Sequence, residues 1–299
     1  TAKNLPAVRE TVFVGHFNHL LRGEESDLDE QFVCAMADSL AVDVIVERED
    51  VAAEAKSTQR NLEAVARSLR YSFLERTATK CKARFIATAH NFDDQVETIL
   101  HRLIRGSSAV GLRGIHPLLS LNSGVKLIRP LLDVTREEVL AHCAYYQLDF
   151  RVDSSNASLD FTRNRIRHEL IPLLKSFNPR VGEALIRTTT QAGEDDLFLQ
   201  QIAIEFLQTH KKADGLELRA LRQLPLPIRR RVVREWLKSE RGDLKRIEAA
   251  HLMMIDDLIM HGEGGSYIEL PDNGKVERKN KFLRLENFSR IGKCQQKSS

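Results

Sequence analysis

Apolar positions in the first half of the chain follow two alternating rhythms. Residues 12–17 (Val-Phe-Val-Gly-His-Phe), 42–46 (Val-Asp-Val-Ile-Val) and 85–89 (Phe-Ile-Ala-Thr-Ala) are short apolar runs between polar stretches, and 125–128 is a weaker one. Such runs predict buried strands. Between them apolar residues recur every three or four positions: Leu28, Phe32, Ala35 and Met36; Leu62, Val65, Leu69 and Phe73; Phe92, Val96, Ile99, Leu100, Leu103 and Ile104. That spacing gathers them on one face of a helix. Ser26 with Asp29 marks an acidic helix start, Gly106 closes the third stripe, and Thr135 with Glu138 forms a capping box before Val139, Leu140 and Cys143. The alternation predicts an α/β fold, a parallel sheet with helices on both faces.

The rhythm changes near residue 155. From Asp195 onward the pattern is helical: Phe198, Ile202 and Phe206; then, after Pro225 and Pro227, Ile228, Val232 and Trp236; then Leu244, Ile247, Ile255, Leu258 and Ile259. Tyr267–Leu270, Pro271-Asp272-Asn273-Gly274 and Val276–Arg278 predict a hairpin with an Asn-Gly turn. A boundary near 185–195 divides the chain into an α/β domain (1–190) and a mainly helical domain ending in a β-hairpin (191–299).

With 299 residues, 42% hydrophobic and 29% charged, the composition is that of a folded globular protein. No run reaches the roughly 18 apolar residues of a membrane span. Cys34, Cys81, Cys143 and Cys294 are far apart, which argues against a zinc or disulfide scaffold and suits a reducing cytoplasm. The net charge is only +3. Across 211–248, however, twelve Lys/Arg face six Asp/Glu, a local excess of 12 − 6 = +6. This is either a solvated helical face or a surface for a phosphate backbone.

Four segments carry candidate chemistry. In Ala89-His90-Asn91-Phe92-Asp93-Asp94-Gln95-Val96-Glu97-Thr98 a strand gives way to a helix, where ligands of open α/β sheets bind. Asp94 and Glu97, three apart, share a helix side. They suit a magnesium ion or an amine's ammonium; equally, first-turn acids complement the helix dipole. His16-Phe17-Asn18-His19-Leu20-Leu21-Arg22-Gly23 follows another strand, with no third metal ligand at suitable spacing. Arg105-Gly106-Ser107-Ser108 through Gly111 and Gly114 reads as a helix cap and loop, or a backbone approach to a ligand. Asp153-Ser154-Ser155-Asn156 precedes Phe161-Thr162-Arg163-Asn164-Arg165-Ile166-Arg167-His168-Glu169-Leu170-Ile171-Pro172. On a helical wheel Arg163 and Arg167 flank the stripe Ile166, Leu170 and Leu174 and can bind phosphate or carboxylate, whereas Arg165 points away toward Glu169.

In this order the segments resemble the tRNA(Ile)-lysidine synthetases of the N-type PP-loop ATP pyrophosphatases. Further matching pieces are Glu63-Ala64 through Arg67 to Arg70-Tyr71, Gly111-Leu112 and Arg129-Pro130-Leu131, and the resemblance spans about residues 12–175. It implies a PP-loop fold of the adenine nucleotide α-hydrolase type. It also implies a cytoplasmic ligase that adenylates the wobble cytidine of a minor isoleucine tRNA with ATP and Mg²⁺ and then attaches L-lysine. Carried over residue by residue, His90, Arg70 and Arg67 go to ATP. Asp94, Glu97 and Arg163 go to catalysis and lysine, with Asp94 also as metal ligand. Arg167, Arg229, Arg230, Arg231 and Arg234 go to tRNA(Ile). The family's opening Ser-Gly-Gly-x-Asp-Ser has no counterpart here; the only Gly-Gly is Gly264-Gly265. The strand at 12–17 therefore corresponds to the family's second, and the first strand and its ATP loop are expected to be missing. Alternatives are a tRNA-binding remnant without ATP chemistry and a sister PP-loop enzyme such as a tRNA thiolase. A homodimer is left open.

Overall fold

A computed structural model describes residues 12–107, 109–153 and 162–287. Ser154, Ser155, Asn156, Phe161, Ser108 and Cys294 of the sequence motifs lie outside them. The chain divides into two compact units, Thr1–Thr189 and Thr190–Ser299.

The first unit alternates strands and helices: β1 (Phe13–Asn18), α1 (Glu24–Ser39), β2 (Asp43–Arg48), α2 (Val51–Thr58), α3 (Leu62–Lys80), β3 (Phe85–Ala87) and α4 (Phe92–Ile104). There follow α5 (Ala109–Leu112), β4 (Leu118–Ser120), β5 (Lys126–Ile128) and α6 (Arg136–Tyr145). β1 pairs with β2 in parallel, Phe13 opposite Asp43, and β3 pairs with β5 in parallel, Phe85 opposite Lys126. β4 runs antiparallel to β5. The expected single sheet is, among the described residues, two: β1-β2 and β3-β5-β4. The strands are parallel because a helix crosses over between them, α1 between β1 and β2. Phe17, Val51, Val65 and Phe73 make one core under β1, and Ala78, Ile86, Val125 and Leu127 another under β3 and β5.

A third core positions the site. Val96 and Leu100 of α4 pack on Ile166 and Ile171, with Leu170, Leu174, Leu185 and Ile186 around them. These residues belong to α7 (Thr162–Arg165), a π-helical turn (Ile166–Leu170), α8 (Ile171–Phe177) and the start of α9 (Val181–His210). Gly182 lets α9 approach α4: a Cβ there would lie 2.9 Å from the Phe92 ring.

The second unit holds the rest of α9, β6 (Lys211–Lys212), β7 (Gly215–Glu217), α10 (Leu218–Gln223), α11 (Leu226–Arg241), α12 (Ala249–His261), β8 (Tyr267–Leu270), β9 (Gly274–Lys279) and β10 (Phe282–Asn287). The terminal hairpin is part of a five-stranded antiparallel sheet, β6-β7-β10-β9-β8, packed on helices through Trp236, Leu237, Ile255, Ile259, Val276 and Leu283. Two expectations are corrected. The turn between β8 and β9 is a three-residue loop: Leu270 pairs with Gly274, while Asp272 and Asn273 take the positive φ. The helical reading of the 211–217 region gives way to a hairpin whose Gly215 sits at φ +124, where a Cβ would lie 2.3 Å from the Leu283 carbonyl oxygen. The Asp214-Gly215 dipeptide is the sequence signal for that turn.

Candidate active site

The site is built on the first two turns of α4. Asn91 caps the helix: its Oδ1 accepts from the Asp94 amide at 2.9 Å, and Asp94 Oδ2 accepts from the Asn91 amide at 3.0 Å. One oxygen of Asp94 thus serves the helix end, as a capping box does. The other, Oδ1, accepts from Arg163 Nη2 at 2.9 Å. Asp93 turns elsewhere, and its Oδ2 accepts from the Arg136 amide at 2.7 Å at the start of α6.

Glu97 lies one turn further on and is 0% exposed. A carboxylate without water needs counter-charge and donors. Arg163 Nε donates to its Oε2 at 2.8 Å, Arg167 Nε to its Oε1 at 2.6 Å, and Arg167 Nη2 to its Oε2 at 3.1 Å. Two carboxylates and two guanidiniums therefore form one cluster with balanced charge. Arg167 is held above the ordinary guanidinium range: burial works against its charge, and the Glu97 and Asp94 carboxylates outweigh it. Arg165 faces outward and pairs with Glu169 at 3.1 Å.

The π-turn explains why these residues meet. The Ile171 amide bonds to the Ile166 carbonyl, five residues back. A five-residue turn brings positions i and i+5 to one side, so Ile166 and Ile171 (2% and 9% exposed) both reach the α4 core. Pro172 follows at once; it has no N–H to donate, and the wider turn relieves its ring from the carbonyl four residues before. With Ile166 anchored against Val96, Arg163 and Arg167 lie over Glu97.

Arginines also act on two histidines at the strand ends. His90 follows β3, and its Nδ1 lies 3.0 Å from Thr88 Oγ1. Burial pushes the His90 pKa down to about 4, helped by Arg129, Arg67 and Arg163 against the pull of Asp94. His19, after β1, is likewise pushed to about 4 by burial and by Arg70, His16 and Arg22. Both imidazoles are neutral at pH 7, and the positive charge here is carried by arginines. Arg67 folds over the Tyr71 ring, 4.8 Å from its centroid.

Two hollows open here. One, about 580 Å³, lies beyond the end of β1 and is lined in part by His16, Asn18, His19, Arg22, Arg70 and Asp153. The other, about 260 Å³, is lined in part by Asn61, Glu63, Glu97, His101, Thr162 and Arg163. Arg22 ties the first together, reaching Asp29 at 2.6 Å and Asp153 at 2.9 Å.

For a magnesium ion the residues fit poorly. Asp94 spends both oxygens, on the Asn91 amide and on Arg163. Among the described residues no three His, Cys, Asp or Glu side chains gather to hold a metal.

The structure thus brings Asp94, Glu97, Arg163 and Arg167 into contact, with His90 under their field and Arg70 on the wall of the larger hollow. It turns Arg167 to Glu97, on the inward side where the helical wheel set it, whereas the resemblance sent it to tRNA. Sequence reasoning gave no role to three supports. Arg129 (7% exposed) donates to the His116 carbonyl, Arg102 Nη1 holds the Gly111 and Gly114 carbonyls at 2.7 Å, and Gln95 accepts from the Ile115 amide. Gln95 and Arg102 lie on α4 seven residues apart, a helical spacing visible in the sequence.

The basic candidates of the second unit differ among themselves. Arg229 is 7% exposed, pairs with Asp256 at 2.5 Å and caps the Leu224 carbonyl. Arg231 pairs with buried Asp196 at 2.8 Å. Both brace helices. Arg230 and Arg234 are half-buried on the same helix.

The family model of the PP-loop domain matches residues 2–174, more than half of the chain. The chain belongs to the PP-loop family. Residues 216–284 match a TilS substrate binding domain. Among curated relatives, the tRNA(Ile)-lysidine synthase of Geobacter sulfurreducens is 37% identical over 280 residues, covering 92% of this chain and 59% of its own length. That of Bacillus thuringiensis is 39% identical, covering 89% and 57%. The bifunctional protein TilS/HprT of Listeria monocytogenes is 34% identical, covering 88% and 41%. The chain therefore spans about half the length of these relatives. Among solved structures, the U34-tRNA thiolase NcsA of Methanococcus maripaludis matches with a TM-score of 0.51 at 18% identity, covering 64% of each chain. That likeness supports the PP-loop fold. No described helix is long and apolar enough to cross a membrane.

Proposed function

We propose that the chain is the synthetic part of a tRNA(Ile)-lysidine synthetase, joining lysine to the wobble cytidine of a minor isoleucine tRNA at the expense of ATP. The observation that carries this reading is the charge-balanced cluster of Asp94, Glu97, Arg163 and Arg167 beside a hollow of about 260 Å³. A free amino acid with a basic side chain carries one carboxylate and two ammonium groups. An acid pair and an exchangeable arginine complement both signs.

In this reading Asp94 and Glu97 hold the side-chain ammonium, and Arg163 takes the α-carboxylate. The amine must lose a proton before it attacks C2 of the activated base, and Asp94, 22% exposed where Glu97 is sealed, is the acceptor in this reading. Adenylate leaves as the carbon–nitrogen bond forms. Arg70 and neutral His90 bind phosphate oxygens, Arg70 as a charge and His90 as a hydrogen-bond donor. The protein's contribution is orientation and fixed charge rather than covalent chemistry. Residues 1–190 form the catalytic domain and 191–299 hold tRNA, with Arg230 and Arg234 on the contact surface, in the cytoplasm. No step is assigned to magnesium.

The test is incorporation of labelled lysine into isoleucine tRNA by the gene product containing this chain, with ATP. Asp94→Asn is expected to cut incorporation at least a hundredfold. Wild-type rates in that variant would remove the assignment.

A further inference from the structure

The two arginines do not hold the acids in the same way. Arg167 turns Nε and Nη2 onto the single carboxylate of Glu97, at 2.6 and 3.1 Å, and stands 3.9 Å from Asp94. Arg163 divides its guanidinium, Nε to Glu97 at 2.8 Å and Nη2 to Asp94 at 2.9 Å. Arg163 and Glu97 both line the hollow of about 260 Å³; Arg167 is not one of its walls. The Arg163 side chain is 33% exposed, Arg167 22% and Glu97 0%.

The cluster has no charge to spare. An ammonium arriving beside Glu97 would leave one positive charge in excess against a carboxylate sealed from water, which is unfavourable. Exchange keeps the excess off the buried acid: one guanidinium gives up its carboxylates to the side-chain ammonium and takes the ligand's own carboxylate, and the ligand's second ammonium is left on the side of the hollow, where Glu63 is a wall. A guanidinium shared between two acids and facing the hollow is placed to leave. A guanidinium set with two nitrogens on one buried carboxylate is placed to stay.

We infer that Arg167 is a positioning residue: it keeps the Glu97 carboxylate aimed into the hollow while Arg163 exchanges its acid partners for the carboxylate of an amino-acid substrate. This rests on the lysine-ligase reading for the substrate, but the Arg167–Glu97 coupling stands on geometry alone. Without Arg167 both acids depend on Arg163, which then cannot be released.

Two measurements test this. The first is the lysine dependence of the ligase reaction in Arg167→Gln and Arg167→Lys. Arg167→Gln is expected to raise KM for lysine at least tenfold while kcat falls less than KM rises, and Arg167→Lys, which keeps the charge and loses the second contact, recovers part of the loss. The second is a urea midpoint cycle of Arg167→Gln, Glu97→Gln and the double variant. The effects are expected to be non-additive, with the double variant close to Glu97→Gln alone. Additive midpoints would overturn the positioning role whatever the substrate. Non-additive midpoints with an unchanged lysine KM would reduce the pair to a brace and overturn the exchange. A wild-type protein that incorporates no lysine, with non-additive midpoints, would overturn the substrate reading and leave the coupling in place.

Discussion

Replacing Glu97 by glutamine tests the charge accounting at the heart of the site. The change keeps shape and opens no cavity, so its effect is electrostatic. Glu97 accepts three hydrogen bonds, one at Oε1 from Arg167 and two at Oε2 from Arg163 and Arg167. An amide can place its oxygen at the Oε2 position and keep two of them, but its NH₂ then faces the Arg167 Nε donor. The cluster also moves from balance to an excess of one positive charge. Removing one partner of a buried pair costs about 3–5 kcal/mol. Because the arginine side chains are 33% and 22% exposed, solvent screens part of that, and about 2–3 kcal/mol remains. For a unit of this size, roughly 2–4 °C is lost per kcal/mol, so the transition of the first unit should fall by roughly 5–10 °C. Thermal unfolding followed by circular dichroism reads the shift. Glu169→Gln, which breaks the exposed pair with Arg165, is the control and should cost under about 0.5 kcal/mol. A fall of less than about 2 °C for Glu97→Gln, or equal shifts in the two variants, would show that the arginines do not depend on Glu97 and would refute the balanced-cluster argument.

Other outcomes follow from the same geometry. His90 and His19 titrate near 6.5 when unfolded and near 4 when folded, so the unfolded chain binds more protons between those values. Their stabilising contribution is complete above pH 6.5 and is lost as pH falls toward 4, by ~1–2 kcal/mol each after allowance for their partial exposure; urea midpoints at pH 7 and 4.5 should differ less in His90→Gln than in wild type, and equal differences would contradict the burial argument. In the second unit, Arg229→Met strands Asp256 and should destabilise by about 3 kcal/mol. Arg234→Ala should change stability by under about 0.5 kcal/mol yet weaken tRNA binding and flatten its salt dependence in filter assays.

The main outline was readable in the chain because its signals are local. Strands β1, β2 and β3 announce themselves as apolar runs, and the Thr135–Glu138 box starts α6 as expected. The acids of α4 stood out by their place after a strand. What the sequence could not tell was how they divide their work: Asp93 caps α6, Asp94 caps its own helix and meets Arg163, and Glu97 is sealed from water. Those fates depend on contacts with residues 43 to 70 positions away. Arg167 differs: the helical wheel set it beside the apolar stripe with Arg163, and only the resemblance sent it to tRNA. Its carboxylate partner was not legible, because Glu97 lies 70 positions away. Arg229 shows the same limit, since a run of arginines looks like surface until Asp256, 27 positions on, folds against it. Short β4 and the β6–β7 hairpin escaped because two or three residues hold too little periodicity to read.

The extra residue of the π-turn also makes the site sensitive to length. Add one more amino acid between Ile166 and Leu170, where the turn already carries its extra residue, and the downstream helix would swing by about 100° relative to the upstream one, enough to point Ile171 into solvent or Arg163 off its acids. Insertions are usually harmless at loop tips, but here a single added codon inside a helix would misalign the arginine fork without altering any side chain that touches it.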